Sequence, residues 1–302
     1  MRRGLWVRQS NLEWDTSSEM KLKCLDLKTP IILGSCDLFV EESTIRNYVT
    51  DCVGAVVLKT ATEQPTRGYT MPHVAKFGDG VLVASGMANP GIKEMCKIAK
   101  NLTDIRTIGS LIDPNLATQY ESAGVIAIEL NLSCPHFPGG QVPAHKPELV
   151  AKAVSAAKRA CRIPVFAKLT GWGCDIVRTT QAAEEAGADA VVVSNLFPGT
   201  GYYTGLVKYE HKYKVGDTLL GHGFGAYTSR NFLASVLFLI KQIRGNSQIP
   251  IIATGGCCSD ADALAQTHLA GASAVETVTP LYLGKNLDSI YNEYLNWKHN
   301  NA

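Results

Sequence analysis

The stretch Val125-Ile-Ala-Ile-Glu-Leu-Asn-Leu-Ser-Cys-Pro-His136 decides the fold, because an apolar run ends within it at a cluster of small polar groups. Residues 125–130 have the pattern of a strand that is buried on both faces of a parallel sheet. The polar side chains that follow are those of Asn131, Ser133, Cys134 and His136. Prolines and glycines over residues 135–140 prevent the strand from continuing. Because α/β proteins place active sites at such strand ends, we expect the chemistry here.

The composition is that of an ordinary globular protein. Of the 302 residues, 46% are hydrophobic and 19% are charged, a balance that excludes a disordered chain. The formal net charge is +2 and the basic residues are dispersed, so nucleic acid is not an expected partner. No apolar run approaches the roughly 18 residues of a membrane span, and no secretory signal follows Arg2 and Arg3. We therefore predict a cytoplasmic protein that does not engage membranes.

The nine cysteines lack the repeated C-x-x-C spacing of zinc and iron–sulfur sites. We predict no metal centre, and we interpret the cysteines as reduced and mostly buried thiols, as is usual in the cytosol.

Eight short apolar runs alternate with helical stretches from Leu25 onward. The predicted strands are Pro30–Leu33, Ala55–Leu58, Thr107–Leu111, Val125–Leu130, Val165–Leu169, Ala190–Ser194, Ile251–Ala253 and Ala274–Val278. The predicted helices are Glu42–Thr50, Ile92–Lys100, Asn115–Ser122, Pro147–Arg159, Asp175–Glu185, Arg230–Ile243, Asp260–Leu269 and Leu287–His299. Strict alternation over about 250 residues predicts a (β/α)8 barrel, the TIM-barrel fold, for residues 25–302. An open doubly wound sheet is the structural alternative, and residues 1–24 are predicted to be an N-terminal arm.

Two connections are too long to be simple turns. Both Thr60–Gly91 and Leu196–Thr228 follow the carboxyl ends of predicted strands. We therefore expect them to be excursions over the barrel mouth that form the walls or lid of a pocket.

Polar side chains gather at the ends of the predicted strands. They are Ser35, Lys59, Thr60, Asn131, Cys134, Lys168 and Asn195. Each has an ordinary structural explanation when taken alone, since a lysine at a strand end is usually a solvated charge and an asparagine is usually a turn former. Their convergence at one face of a barrel instead predicts an active site.

Thr254-Gly-Gly256 follows the seventh predicted strand and precedes a helix for which Ser259 is the predicted N-cap. Free backbone N–H groups and a helix N-terminus in this loop predict a phosphate site. A plain glycine turn is the alternative.

With these motifs the chain resembles the class 1, cysteine-dependent branch of the dihydroorotate dehydrogenase family from about Leu25 to Leu295. It is also similar to the FMN domain of dihydropyrimidine dehydrogenase. The most specific match is Glu129-Leu-Asn-Leu-Ser-Cys-Pro-His136, which corresponds to the family signature E-L-N-L-S-C-P-[NH]. Further matches, in the family's order and spacing, are Lys59-Thr60, Ala167-Lys-Leu169, Ser194-Asn195, Gly225-Ala-Tyr227 and Ile252-Ala-Thr-Gly-Gly256.

The resemblance implies that FMN lies across the barrel mouth. The residues expected beside its isoalloxazine ring are Gly34, Ser35, Lys59, Thr60 and Asn131. Lys168 is expected near flavin N1, where a cation stabilises the anionic reduced ring. The residues expected to hold the ribityl chain and phosphate are Gly225, Thr254, Gly255, Gly256 and Thr279.

The resemblance also implies separate residues for substrate binding and for proton transfer. Asn131, Asn195 and His136 are expected to bind the amide edges of a pyrimidine. Cys134 is expected to be the base that removes the C5 proton while C6 delivers a hydride to flavin N5. Lys59 is expected to help the Cys134 thiol supply thiolate near neutral pH.

Four positions depart from the family pattern. Ala84 stands where the family has an asparagine that holds the substrate, and nearby Asn89 is the expected substitute. His136 replaces the asparagine that is typical of dihydroorotate enzymes. Cys36 and Val278 stand where glycines are usual around the cofactor.

The leading hypothesis is an FMN-dependent oxidation of (S)-dihydroorotate to orotate in pyrimidine biosynthesis. A second hypothesis keeps FMN and Cys134 but takes another dihydropyrimidine or a cyclic ene-amide. A third is an inactive barrel that serves as a binding protein. The resemblance further implies a soluble electron acceptor such as fumarate, and a homodimer.

Overall fold

The computed structural model describes residues 20–134, 141–209 and 211–301, and within them eight parallel strands form a closed barrel. The strands in chain order are β1 (Ile31–Leu33), β2 (Ala55–Val57), β3 (Val74–Phe77), β4 (Gly80–Val83), β5 (Thr107–Leu111), β6 (Ala127–Asn131), β7 (Val165–Lys168), β8 (Ala190–Val193), β9 (Phe197–Gly199), β10 (Gly225–Ser229), β11 (Ile251–Thr254) and β12 (Ala274–Thr277). Around the barrel the order is β1-β12-β11-β8-β7-β6-β5-β2. The predicted (β/α)8 barrel is confirmed, and the open doubly wound sheet is wrong.

Helices connect the barrel strands and cover the outside of the barrel. They are α1 (Glu42–Tyr48), α2 (Ile92–Asn101), α3 (Ala117–Ser122), α4 (Pro147–Ala160), α5 (Ile176–Glu185), α6 (Leu233–Arg244), α7 (Ala261–Leu269), α8 (Thr279–Tyr282) and α9 (Leu287–Asn301). Every predicted helix has a counterpart, and only the short α8 has no predicted equivalent. In the part of the chain that the structure describes, none of these helices is long and apolar enough to cross a membrane.

The helix α7 begins one residue later than predicted. Its N-cap is Asp260 rather than Ser259, and the Asp260 carboxylate accepts a hydrogen bond from the Ala263 N–H at 2.7 Å. Ser259 belongs to the preceding turn, where its N–H donates to the Gly256 carbonyl at 3.4 Å. An aspartate caps as well as a serine does, and its negative charge also favours a helix N-terminus. The prediction of Ser259 as the cap is therefore wrong.

Alternate residues of the barrel strands face opposite sides. Ile32 and Phe166 face the interior of the barrel, whereas Leu33 packs outward in the layer beneath the helices. The strands are thus buried on both faces, as their continuous apolar runs predict. Leu22 and Leu25 pack against the same interior cluster, so the described end of the predicted arm contacts the barrel.

The two predicted excursions form a second sheet. Its order is β3-β4-β10-β9 and all its pairs are antiparallel. The central pair joins the two excursions, with Val81 of β4 opposite Thr228 of β10. The sequence predicts both excursions but not their pairing into a sheet.

Candidate active site

A cleft of about 310 Å³ lies between the carboxyl ends of the barrel strands and the four-stranded sheet. Its size is within the range of about 300–1,000 Å³ that is usual for small-molecule sites. The predicted site residues that line it are Ser35, Lys59, Thr60, Asn131, Cys134, Lys168, Asn195, Gly225, Thr254, Gly255, Gly256 and Thr279. Gly34 and Asn89 do not line it, and His136 lies outside the described residues.

Two asparagine amides and a serine hydroxyl form a network on the barrel side of the cleft. The Nδ2 group of Asn195 donates to Oγ of Ser133 at 2.6 Å and to Oδ1 of Asn131 at 3.3 Å. The Nδ2 group of Asn131 donates to Oγ1 of Thr60 at 3.4 Å. Because each amide carries both donors and acceptors, the network fixes a complementary surface for a planar amide or imide.

Cys134 lies three residues beyond the end of β6, beside this network. It is 8% exposed and packs with Met87 and Ile112. The nine cysteines all lie within the described residues, and none of them belongs to a disulfide bond. Among the residues that the structure describes, no group of three or more His, Cys, Asp or Glu side chains could hold a metal ion. The chemistry that the described cleft can offer thus rests on a thiol, amides and lysines.

Lys59 enters the cleft as one half of an ion pair. Its Nζ contacts Oδ1 of Asp37 and donates to Oγ of Ser85 at 3.2 Å. The second oxygen of Asp37 lies 3.5 Å from Nδ1 of His73. Asp37 thus joins the lysine at the end of β2 to the residue that precedes β3 in the covering sheet.

Lys168 lies between two carboxylates in the interior of the barrel. Its Nζ is 3.2 Å from Oε1 of Glu129 on β6 and contacts Oε1 of Glu276 on β12. Burial by itself would lower the pKa of Lys168, but the two carboxylates outweigh it and raise that pKa above its ordinary value. Burial, and then the charge of Glu276, raise the pKa of Glu129 well above its usual range despite Lys168. The lysine is therefore charged near neutral pH, and the surroundings of Glu129 favour its neutral form.

The loop after β11 leaves main-chain donors available. Gly255 and Gly256 have φ values of +99° and +80°, in the left-handed region that favours glycine. A Cβ at Gly256 would lie 2.6 Å from the Ser229 carbonyl oxygen. Within the described residues, neither glycine N–H donates a backbone hydrogen bond. Free N–H groups in a glycine loop are suited to an anion, as the phosphate prediction requires.

Gly34 and Asn89, which do not line the cleft, have contacts that serve the local structure. A Cβ at Gly34 would lie 2.6 Å from Oε1 of Glu276, so this glycine leaves room for the carboxylate. The Asn89 side chain donates to the Met87 carbonyl at 2.7 Å and accepts from the Gly91 N–H at 2.9 Å. A substrate contact through Asn89 would require these bonds to break.

The three described positions that depart from the family pattern all line the cleft: Cys36, Ala84 and Val278. Burial raises the pKa of Cys36 to about 12, so its thiol is neutral near physiological pH. Ala84 offers an apolar wall where an amide was expected.

The acidic partners of the lysines and the aromatic wall of the cleft were not predicted from the sequence. The rings of Tyr69 and His222 stack with their centroids 3.5 Å apart. Other aromatic residues of the cleft lining are Trp172, Phe224 and Tyr282. Glu129 and Glu276 did leave a signal, because each interrupts an apolar strand, where an acidic group needs a buried partner. The aromatic residues lie in irregular connections and leave no comparable pattern.

Comparisons with known proteins agree on one family. A family model described as dihydroorotate dehydrogenase matches residues 17–293. The catalytic subunit of dihydroorotate dehydrogenase B (NAD(+)) from Streptococcus pneumoniae is 31% identical over 272 residues, which cover 85% of this chain and 84% of the relative. Dihydroorotate dehydrogenase A (fumarate) from Lactobacillus helveticus is 30% identical over 275 residues, 86% of each chain.

The fold also has a solved counterpart. The crystal structure of DHODH from Eimeria tenella in complex with ferulenol superposes with a TM-score of 0.73, over 96% of this chain and 86% of that chain. Sequence identity between the two is 17%, so this likeness concerns the barrel fold alone.

Proposed function

The chain belongs to the dihydroorotate dehydrogenase family, and from this premise we propose that it is an FMN-dependent oxidoreductase that converts (S)-dihydroorotate to orotate in pyrimidine biosynthesis. The observation that carries the proposal is the meeting of four kinds of group in one cleft. A thiol, a pair of amides, two lysines and a glycine loop all line it, contributed by Cys134, Asn131, Asn195, Lys59, Lys168, Gly255 and Gly256.

The cleft fits FMN in the chemistry of its lining. Gly255 and Gly256 present main-chain donors in the loop after β11, which suits a phosphate. Ser35, Thr60 and Asn131 form a hydrogen-bonded polar layer after β1, after β2 and at the end of β6, which suits the heteroatoms of an isoalloxazine ring. The residues that would hold the ring are Ser35, Lys59, Thr60, Asn131 and Lys168, and those that would hold the ribityl chain and phosphate are Gly225, Thr254, Gly255, Gly256 and Thr279. When bound, FMN supplies the hydride acceptor that no amino-acid side chain provides.

The amide network orients the substrate ring. Asn131 and Asn195 are held by each other and by Ser133, so their free donors and acceptors point in fixed directions. The N–H and C=O groups of a dihydropyrimidine match such amides. Binding through the amide edges leaves the C5 and C6 atoms free to react.

Cys134 is the base in this proposal. It accepts the C5 proton of the substrate, and its nearly inaccessible position keeps bulk water away from the reacting atoms. A thiol has an ordinary pKa near 8.5, so modest help from a cation provides thiolate near neutral pH. Lys59 is the cleft cation that we assign to this help.

The electron acceptor and the assembly are assigned by resemblance. Relatives carry fumarate and NAD(+) in their names, which supports an acceptor of this kind. We assign a soluble acceptor such as fumarate and a homodimer to this chain.

A second candidate substrate is a dihydropyrimidine without a carboxylate, and the ion pairs of the cleft favour it. The carboxylate of dihydroorotate needs a cation or several donors. Lys59 already has Asp37 as a partner, Lys168 has two glutamates, and Ala84 offers no donor. Anaerobic bleaching of bound FMN by dihydroorotate, compared with bleaching by uncharged dihydropyrimidines, separates the two candidates.

Anaerobic mixing of the FMN-loaded protein with dihydroorotate tests the leading proposal. Wild-type protein should take up added FMN, turn yellow, and be bleached by the substrate. Cys134→Ala and Cys134→Ser should keep FMN and slow bleaching by about 10²–10⁴-fold, the usual contribution of a general base. Cys96→Ser changes a half-buried cysteine of α2 outside the cleft and is the matched control.

Two results would contradict this proposal. One is protein that takes up no FMN, and the other is a Cys134 variant as fast as wild type. Bleaching that depends on the substrate would in turn exclude an inactive barrel.

A further inference from the structure

The two carboxylates that contact Lys168 differ in where they lie. Glu276 lines the cleft together with Lys168, whereas Glu129 does not belong to the described lining. Both side chains are almost inaccessible, at 1% exposure for Glu129 and 3% for Glu276. Glu276 is therefore the acidic partner on the cleft side of the lysine.

The main chain beside β12 makes room for the Glu276 carboxylate. β1 pairs with β12, with Leu33 opposite Thr277. At Gly34, which follows Leu33, a Cβ would lie 2.6 Å from Oε1 and 3.0 Å from Cγ of Glu276. Even a methyl group at position 34 would thus displace this carboxylate. The close approach shows, independently of the ion pair, that the fold accommodates an acid at position 276.

The two acids also differ in their contact with Lys168. Nζ of Lys168 lies closer to Oε1 of Glu276 than to Oε1 of Glu129, which is 3.2 Å away. The Oε2 atom of Glu129 has no hydrogen-bond partner among the described residues, which costs less for a neutral acid than for an ion, and burial favours the neutral form of Glu129. Glu276 is therefore the acid that we assign to balance the charge of Lys168. Without it, the lysine would present an uncompensated positive charge to the cleft.

We propose that Glu276 is a positioning residue that holds the Lys168 ammonium and offsets its charge at the cleft, and that it thereby lowers the reduction potential of the bound cofactor. The inference rests on the proposed function, because it requires FMN in this cleft. A neighbouring cation favours the anionic reduced ring, and a neighbouring anion disfavours it. Loss of the Glu276 charge should therefore make FMN easier to reduce. It should also strengthen the binding of sulfite, which leaves negative charge on the ring.

The test compares FMN-loaded wild type, Glu276→Gln and Glu129→Gln. Sulfite dissociation constants are measured from flavin absorbance, and midpoint potentials are measured by equilibration with a reference dye. Glu276→Gln should bind sulfite at least about tenfold more tightly and raise the equilibrium constant for two-electron reduction by a similar factor, which corresponds to about 30 mV. Glu129→Gln changes the acid of the same cluster that does not line the cleft and whose neutral form burial favours, so it should stay close to wild type.

The possible outcomes separate the two proposals. If Glu276→Gln binds FMN but keeps the wild-type sulfite affinity and potential, or if Glu129→Gln shifts them equally, the inference is wrong while the proposed function stands. If wild type takes up no FMN, the proposed function fails and the inference fails with it. Glu276→Met removes the same charge without burying an amide and gives the same measurement if the glutamine variant does not fold. Failure of both Glu276 variants to fold, with Glu129→Gln folded, would assign Glu276 a purely structural role and overturn the inference.

Discussion

The two lysines of the cleft are equally buried, with side chains 8% and 7% exposed, but their acidic partners differ. Lys59 contacts Asp37, whose side chain is 23% exposed and lies in the loop after β1. Lys168 contacts Glu129 and Glu276, which are both below 4% exposure and belong to barrel strands. One pair is held by loops at the mouth and the other by the barrel itself.

This difference means that a ligand can change the ion-pair partner of Lys59, whereas the partners of Lys168 are set when the barrel folds. Asp37 is the accessible member of its pair, so we expect the carboxylate of a ligand to be able to replace it beside Lys59. Lys168 cannot exchange its partners in this way, because a buried carboxylate left without its cation is costly. We therefore expect the contacts of Lys59 to change when substrate binds and those of Lys168 to stay the same.

The largest effect is expected for Lys168→Met. The change leaves two acidic groups buried without a cation, and breaking a buried pair in this way costs about 3–5 kcal/mol of unfolding free energy. Urea unfolding followed by circular dichroism measures the loss. Lys158→Met, which breaks a half-exposed pair with Asp189, is the control and should cost about 1 kcal/mol or less. Equal losses of unfolding free energy in the two variants would show that the Lys168 cluster is no more important for stability than a half-exposed ion pair.

Ionisation of Glu129 should make the free energy of unfolding depend on pH. Burial and the charge of Glu276 raise its pKa in the folded state, whereas an unfolded glutamate titrates near 4.3. Above the unfolded value only the unfolded chain releases this proton, so rising pH favours unfolding until the folded pKa is reached. The contribution is up to about 1.4 kcal/mol per pH unit. Urea unfolding at pH values above about 4.3 should show a steeper fall for wild type than for Glu129→Gln, and identical slopes would contradict the raised pKa.

Gly34→Ala should cost about 1–3 kcal/mol, because the added methyl group would overpack the site of the Glu276 carboxylate. Gly245→Ala is the matched control, since a Cβ there has only ordinary contacts at 3.6 Å or more. Thermal or urea unfolding measures both variants. A Gly34 variant as stable as the Gly245 variant would show that the carboxylate moves freely.

The smallest effect is expected on ligand binding by Asp37→Asn. This change removes the acid that contacts the buried Lys59 and should leave the lysine available to another carboxylate. Orotate should then bind about two- to fivefold more tightly than it binds wild type, with no change for uracil, which has no carboxylate. Flavin absorbance changes on titration measure both ligands. Tighter binding of uracil as well would show a change of shape rather than of charge.

The barrel was predictable because its evidence is local. Each barrel strand is an apolar run such as Ala190–Val193, buried on both faces, and a helix separates it from the next. The covering sheet was not predictable, since β3 is largely exposed and the partner of β4 lies in a distant excursion. Composition alone does not reveal such a pairing.

The candidate site likewise combines residues that a local motif predicts with residues whose roles depend on distant partners. Cys134 and Asn131 lie in one contiguous motif, and the structure brings both to the cleft. The role of Glu276 depends on Lys168, which is distant along the chain and meets it only when the barrel closes. Asn89 shows the reverse case, because a suitable residue type lies near the expected position but its side chain is hydrogen-bonded within its own loop.

The pairing of β4 with β10 also has a kinetic consequence. These strands come from opposite halves of the chain, and contacts between distant segments form late because a long loop must first be closed. The barrel strands and helices on both sides must be in place before the cover can assemble. During refolding, FMN uptake should therefore lag behind the recovery of helical circular dichroism. The rate of FMN uptake would then report the rate of the last step of folding.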